Sequence, residues 1–499
     1  MKSRFYVTTP IYYVNADPHI GHAYTSFAAD VLARYHRLRG DEVFFLTGTD
    51  ENSQKNVEAA EKRKMPVQKY VDEMSARWRT IFDSLGITND DFIRTTEPRH
   101  RQGVLKFIEA VRKAGDIYPG TYQGYYCVGC EAFVGEVDTV DGKCPIHQIK
   151  LKKIKEKNYF FKLTKYRKKL LDHINKYPEF IQPETRKNEV IRYITDFMED
   201  VSITRQSQKW GIPFPGDEKQ ALYVWFDALV NYLTGIGYGL DAKKFKKFWP
   251  ADVHLVGKDI IKFHCALWPA MLMSAGLELP KRVFAHGYFT VNGEKISKSL
   301  GNTIDPLAAS QKFGIDALRY YLLREIPFGG DGDYSETRLV ERYNSDLANG
   351  IGNLASRILS MAEKYADGKV PKHVPGSAAP TWQSYELKMK ELSLDGALSD
   401  IWDLIRTLDG FIDREQPWVL AKTNPKHLQA TLYTLLESLR HVGLLLWPFM
   451  PETAEKILDS LGVLESSRQN NYDKNKSWGT LKAETKIRKT APLFPRRDI

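Results

Sequence analysis

The stretch RFYVTTPIYYVNADPHIGHAYTSFAADVLARYHRLRGDEVFFLTGTD, residues 4–50, sets the fold class of the 499-residue chain. Its opening, RFYVTTP, is rich in β-formers. Ala23, Phe27, Val31, Tyr35 and Leu38 then recur every three or four residues, which predicts a helix ended by Gly40. EVFFLTGTD follows as a near-continuous apolar run, the pattern of a strand buried on both faces. A strand–helix–strand unit forms a right-handed crossover, so the carboxyl ends of its two strands share one edge. Pro10 to Tyr13 and Asp50 are therefore expected to face one crevice, where open α/β sheets bind ligands. At the helix entrance stand His19 and His22, where orphan N–H groups and the positive end of the helix dipole favour an anion. A phosphate fits both imidazoles; two partly exposed structural histidines are the plainer alternative.

The bulk of the chain matches a globular protein: 42% of residues are hydrophobic and 27% charged. The opening residues lack the apolar core of a signal peptide, and VGLLLWPFM (442–450) falls far short of the ~18–20 residues that span a bilayer. The expectation is a cytoplasmic protein of several domains, with no membrane partner. A formal charge of +10 favours a polyanionic partner without demanding one.

A second α/β half is expected after residue 220: ADVHLVGKD ends a strand, IIKFHCALWPAMLMSAG is helical, and RVFAHGYF is another strand. Residues 116–220 differ, with short strands, turns, cysteines and a basic run, as in an insertion within one doubly wound domain. Beyond 336 helical patterns dominate and predict a helix bundle, interrupted by the loop DGKVPKHVPGSAAP. The last thirty residues read as a tail or a strap.

Three features bear chemistry. NGEKISKSLGN (292–302) joins a tight-turn signal to Lys295 and Lys298 in a Ser/Gly-rich loop, suited to closing over phosphate charge. CVGCEAFVGEVDTVDGKCPIH offers two chelating pairs, Cys127 with Cys130 and Cys144 with His147, at zinc spacing. Three thiolates and one imidazole close a tetrahedral site, so the metal is expected to be structural. In LYVWFDALVNYL, Trp225, Ala228, Leu229 and Tyr232 fall at i, i+3, i+4 and i+7, one apolar helical face of the kind that is more often core than pocket wall. Asp50 at a strand end can pair with a ligand ammonium or cap the following helix. The run KLKKIKEKNYFFKLTKYRKK (150–169) is a solvated face or a strip for an RNA backbone. No GxxxxGK[ST] or GxGxxG motif occurs.

HIGH (19–22) and KISKS (295–299) together resemble the paired signatures of class I aminoacyl-tRNA synthetases. TTPIYYVNADPHIGHAYT, GTDENSQK, YVWFDALVNYL, GKDIIKFHCALWPAML, NLASR, PWVLAK and the closing KIRKTAPLFPR extend the resemblance, over essentially the whole chain, to the methionyl-tRNA synthetase family. The resemblance implies methionine–tRNA ligase activity that forms methionyl-adenylate from L-methionine and ATP with Mg2+, then charges initiator and elongator tRNA(Met). It makes His19, His22, Lys295 and Lys298 catalytic, and adds Gly21 and Ser297 to the ATP site. The methionine site becomes Pro10, Ile11, Tyr13, Asp50, Trp225, Ala228, Leu229, Tyr232, Ile260 and His264. The zinc ligands Cys127, Cys130, Cys144 and His147 become a knuckle in the connective insertion. Asn353, Arg357 and Trp418 become readers of the anticodon, with the indole as a stacking plane. Ile296 stands where the usual signature has Met, a volume-conserving change. Pro10 stands where some relatives have Ala.

The implied architecture is a Rossmann-type catalytic domain in two halves (1–115 and 221–290) around the zinc-bearing insertion (116–220). A KISKS loop and stem-contact region (291–335), an all-α anticodon-binding domain (336–465) and a C-terminal strap (466–499) follow. Without an appended dimerisation domain, a monomer is expected. Rival readings are other class I synthetases, a small-molecule nucleotidyltransferase and a non-catalytic tRNA-binding zinc protein. The valine, isoleucine and leucine enzymes carry a large editing insertion for which this chain has no room, a nucleotidyltransferase has no use for the helical module, and a non-catalytic protein predicts a degraded pocket where every position here is sensibly filled.

Overall fold

The computed structural model describes residues 3–127, 132–134, 142–144, 150–291, 293–296, 302–489 and 491–497, apart from the side chains of residues 126, 132–134, 152, 154 and 295. The chain forms two compact units: residues 4–18 with 43–286, and residues 1–3 and 19–42 with 287–499.

The first unit is built on a six-stranded sheet. β1 (Arg4–Tyr13) and β2 (Glu42–Asp50) are neighbours, and β3 (Asp91–Arg94) lies beyond β2. On the other side of β1 come strands Val253–Gly257, Val283–His286 and Ile181–Gln182. β1 runs parallel to Val253–Gly257 with Thr8 opposite His254, and the remaining outer pairs are parallel too. Strand order therefore reverses between β1 and Val253–Gly257, the switch point outside which doubly wound sheets bind ligands. Burial on both faces explains the unbroken apolar runs: Phe45, Leu46, Val253, Leu255 and Val256 are all inaccessible.

Residues 116–220 hold the expected short strands, among them Val201–Ser202, Thr204–Arg205 and Pro213–Phe214, and add two long ones. Ile117–Cys127 and Lys152–Phe161 pair antiparallel over ten positions, from Ile117 opposite Phe161 to Tyr126 opposite Lys152. This segment also supplies Ile181–Gln182 to the edge of the main sheet, and Phe161, Leu163, Tyr166 and Leu170 to its core. IIKFHCALWPAMLMSAG is helical, with a widened turn at Phe263–Leu267 ahead of Pro269, whose missing N–H breaks the regular ladder. YVWFDALVNYL forms two short helices, Val224–Ala228 and Asn231–Thr234, rather than one. The Asn231 side chain takes the carbonyl of Ala228 at 2.6 Å, a local bond that competes with the helix.

In the second unit, α1 (Ile20–Leu38) is buried nearly all round, more than the predicted single stripe. Asp30 pairs with Arg319 at 2.8 Å, both inaccessible, and the Arg319 guanidinium also lies over Phe27. RVFAHGYF is not one strand: Val283–His286 ends in the sheet, and Phe289–Val291 belongs to the second unit. Gly287 separates them because a Cβ there would fall 2.2 Å from the Gly330 carbonyl oxygen. Helices Asn353–Tyr365, Leu394–Glu415 and Pro425–Leu446 dominate the remainder, as the periodicity predicts. The proposed spacer loop ends early, since Ala379–Lys390 is a further helix. The C-terminal residues form a strap. Glu437 accepts hydrogen bonds from the N–H groups of Gly479, Thr480 and Leu481, and Arg440 donates to the carbonyls of Asn475 and Ser477. No helix among the described residues is long and apolar enough to cross a membrane.

Candidate active site and RNA-facing residues

The expected methionine-site residues lie in the first unit, around the carboxyl ends of β1 and β2 and on the segments after Leu222 and Gly257. Asp50 is 4% exposed at the end of β2, and Asn56 holds its carbonyl oxygen at 2.9 Å. Tyr232 and His264 are each 1% exposed. His264 Nδ1 is 3.0 Å from the carbonyl of Ile260, which can only accept, so Nδ1 carries the ring proton. Nε2 then accepts from the Tyr232 hydroxyl at 2.7 Å. Burial keeps His264 neutral, its pKa lowered to about 4, and pushes the Tyr232 hydroxyl far above its ordinary value.

This bond changes what Tyr232 offers a ligand: its proton is committed to His264, leaving the ring and the oxygen lone pairs. Trp225 stacks on Phe263 at 4.0 Å and stands edge-on to His264 at 6.2 Å. Its Nε1 is buried with no hydrogen-bond partner among the described residues. Ala228 and Leu229 are buried; Ile11, Tyr13 and Ile260 are half-buried and pack against the same core, and Pro10 is half-buried. Ala228, Leu229 and Tyr232 are thus buried and Trp225 packs against the same core as the most accessible of the four.

Two further residues fasten this region, and sequence reasoning passed over both. Asn52 Nδ2 donates to Asp227 Oδ2 at 3.1 Å, linking the segment after β2 to the helix that carries Trp225 and Ala228. Asp227 is inaccessible, and burial raises its pKa well above the carboxylate range despite the Asn52 bond. The only sequence signal was a carboxyl inside an otherwise apolar run.

The signature helix behaves differently from expectation. His19 caps α1, its Nδ1 accepting from the Gly21 N–H at 3.1 Å, and His22 Nδ1 accepts from the His19 N–H at 3.0 Å. The Ile20 N–H donates to the Ile304 carbonyl at 3.0 Å. The predicted orphan donors are therefore occupied, because the two imidazoles form a reciprocal capping box. Each neutral ring in turn carries its proton on Nε2, the nitrogen on the far side from the backbone bond. The rings stack at 3.8 Å. Gly21 permits this fold-back, since a Cβ would meet His19 Cε1 at 3.0 Å.

The Ile304 bond brings the chain just beyond the lysine loop to the start of α1. Val291 pairs with Glu294 across a two-residue connection with Gly293 at φ +78°, as the turn signal predicts. Lys295 lies in the second strand of this hairpin; its side chain, and Ser297 and Lys298 entirely, lie outside the described residues.

Cys127 and Cys144 are both buried and share a small cluster with Leu151, apart from the main core. Cys130 and His147 lie outside the described residues. Lys153, Lys155 and Lys157 are exposed along one face of their strand, opposite Tyr125, Gln123 and Thr121. In the helical unit Asn353 is exposed at the start of its helix. Arg357 is held by Asp409 at 3.1 Å and Asp413 at 2.8 Å. Trp418, 45% exposed, follows Pro417 at the head of a helix that Gln416 starts from a left-handed conformation, φ 46°.

Comparisons with known proteins bear on these arrangements. Residues 5–155 and 148–359 match the family model described as tRNA synthetases class I (M), and residues 376–497 match the anticodon binding domain of methionyl tRNA ligase. The chain is 44% identical to the methionine–tRNA ligase of Thermotoga maritima over 99% of its own length and 80% of that protein. It is 44% identical to that of Rickettsia felis over 99% of both. Among solved structures, Mycobacterium tuberculosis methionyl-tRNA synthetase in complex with methionyl-adenylate superposes with a TM-score of 0.94 at 41% identity, covering 99% of this chain and 100% of that one. The apo form of the same protein gives 0.86 at 39%, covering 100% and 99%. The chain belongs to the methionyl-tRNA synthetase family of class I aminoacyl-tRNA synthetases.

Proposed function

We propose that this protein activates L-methionine with ATP and transfers it to tRNA(Met), initiator and elongator alike, as a cytoplasmic monomer. The methionine carboxylate attacks the α-phosphorus of ATP, pyrophosphate leaves, and the resulting adenylate passes its acyl group to the terminal ribose hydroxyl of the tRNA. No side chain acts as a covalent nucleophile; the rate comes from positioning and charge stabilisation. The carrying observation is the capping box of α1, which fixes both imidazoles through Nδ1 and puts the ring proton of each on Nε2. Their assigned partners are ATP phosphate oxygens, with Lys295 and Lys298 closing from the loop that ends near Ile304. The triphosphate enters with its magnesium as part of the substrate.

Asp50 takes the methionine ammonium, while Trp225, Tyr232 and His264 surround the side chain with Ile11, Tyr13, Ala228, Leu229 and Ile260. A neutral imidazole and a hydroxyl whose proton is already used suit an uncharged thioether, which neither needs a strong donor nor tolerates a nearby charge. Sulfur–aromatic contact contributes ~0.3–1.5 kcal/mol each.

The buried Cys127–Cys144 cluster fits a thiolate metal site: two thiols distant in sequence converge apart from the main core. With Cys130 and His147 they would hold one Zn2+, whose chemistry is structural cross-linking of the insertion. Trp418 stacks on an unpaired anticodon base, Asn353 and Arg357 read base edges, and Lys153, Lys155 and Lys157 meet phosphates of the tRNA backbone.

The test is amino-acid-dependent exchange of pyrophosphate into ATP, screened across the amino acids without tRNA. Exchange with methionine well above every other amino acid is expected. Exchange that favours another amino acid, or none at all, overturns the reading.

A further inference from the structure

We infer that His254, held by Thr8, is a specificity-setting positioning residue that fixes the ring plane of Tyr232 and so the preference for a thioether over an isosteric hydrocarbon. The inference rests on the reading of this pocket as the methionine site.

Three contacts hold Tyr232 most closely, with the rings of His264 and Trp268 farther off at 5.7 and 6.0 Å. Its hydroxyl donates to His264 at 2.7 Å, its carbonyl accepts from the Tyr6 hydroxyl at 2.7 Å, and its ring face packs on His254 with centroids 4.3 Å apart and planes tilted by 33°. The first two anchor the ends of the residue. A tyrosine χ2 torsion is broad, so neither end alone fixes the plane. The ring of His254, the nearest of these three rings, sets it most directly.

His254 sits on strand Val253–Gly257 directly opposite Thr8 of β1, and its Nδ1 lies 2.7 Å from Thr8 Oγ1. Both residues are inaccessible. That bond links adjacent parallel strands at the switch point of the sheet and sets the imidazole plane on which Tyr232 leans. Nε2 of His254 is buried with no hydrogen-bond partner among the described residues. Leaving a buried polar atom unsatisfied costs stability, and phenylalanine would fill the same space without that cost. An imidazole here therefore does what a packing ring does not: it is steered by a hydrogen bond. Sulfur–aromatic attraction depends on where the sulfur lies relative to the ring edge, so a rotated Tyr232 would favour methionine less over a ligand carrying CH2 in place of sulfur.

Thr8→Val preserves shape and β-branching but deletes the hydroxyl; His254→Phe preserves the ring but deletes both nitrogens. Norleucine, with methylene for sulfur, is the probe. Pyrophosphate exchange with methionine and with norleucine should show the ratio of their kcat/KM values falling about 3- to 10-fold in both variants. The methionine KM should rise and the ATP KM stay within about two-fold. A folded Thr8→Val protein with an unmoved ratio overturns the inference. So does a parallel loss for both amino acids and ATP, which marks a structural role only. If His254→Phe does not fold, Thr8→Val decides alone. Absence of methionine-dependent exchange in the unmodified protein overturns the functional reading beneath, whereas exchange with an unmoved ratio overturns this inference and leaves that reading standing.

Discussion

In the sheet unit the buried histidines His100 and His264 are neutral, burial lowering their pKa values to about 3 and about 4, and His254 is lowered as well. In the unit that holds the bundle, full burial comes with opposite charges in contact: Asp30 with Arg319 at 2.8 Å and Glu437 with Arg440 at 2.7 Å. Burial by itself would raise the Glu437 pKa, but bonds from His441 and Arg440 more than offset it and hold the carboxyl at about 2. The difference is between sites rather than whole units: the sheet unit also pairs fully buried Glu51 with Arg94 at 2.7 Å, and His441 beside Glu437 has its pKa lowered by burial. Beside Tyr232 its hydroxyl and the His264 imidazole bond to each other as neutral groups. In the helical unit each buried charge ties segments together: Arg319 joins α1 to the carbonyls of Pro448 and Phe449, and Glu437 clasps the strap.

Acid should separate the two units most sharply. Folded-state pKa values of His100 and His264 are depressed from 6.5, so the unfolded chain takes up protons first. Their contribution to stability is complete above about 6.5 and is lost as pH falls through about 4 for His264 and about 3 for His100. Glu437, depressed from 4.5, keeps its contribution above 4.5 and loses it only as pH falls towards 2. Hydrogen exchange followed during acidification should show amides of residues 100–110 and 253–267 opening before those of residues 479–481, whose N–H groups Glu437 holds. The reverse order would break the contrast.

Glu437→Ala removes a carboxylate on which Arg440 and three backbone N–H groups depend. Stability should drop by about 3–5 kcal/mol, the scale for leaving a buried charge unpaired. Proteolysis should then cut first within 475–489. A variant that melts like the parent would show that the clasp adds nothing.

His22→Ala tests a third setting for histidine, half-buried and bonded to backbone. Adenylate formation should slow by about 10²-fold, the scale for one preorganised donor. The helix start should also lose the His19 N–H acceptor and fray, which circular dichroism would register as a slight loss of helix. Near-parental exchange would remove His22 from the phosphate site.

Asp227→Asn should do least. Burial raises the carboxyl pKa well above its ordinary value, and an amide of the same shape still accepts from Asn52, so the cost should stay below about 1 kcal/mol. A melting temperature reduced by many degrees would show that the group is ionised and paired after all.

Several elements were plain from the chain itself. Strand–helix–strand over residues 4–50, the 292–293 turn and the long bundle helices all follow from periodicity and turn chemistry, which are local. The paired signatures and the spacing of the cysteines likewise needed no coordinates to be found. Other features were invisible for a physical reason. The apolar run RVFAHGYF gives no sign of its division, because the break arises from the approach of a distant backbone at Gly330 to Gly287. YVWFDALVNYL reads as one helix until the Asn231 side chain competes for the carbonyl of Ala228.

Sequence by itself determined which residue types stand near the start of α1, at the strand ends and in the cysteine cluster, and hence the class of chemistry. Tertiary structure alone decided how those groups are committed: which nitrogen of His264 bears the proton, that the Tyr232 hydroxyl is already used, and that the first donors of α1 are occupied. The reason is the directionality of hydrogen bonds. A residue's identity sets how many donors and acceptors it owns, but only the positions of its neighbours, often hundreds of residues away, decide which are left for a ligand.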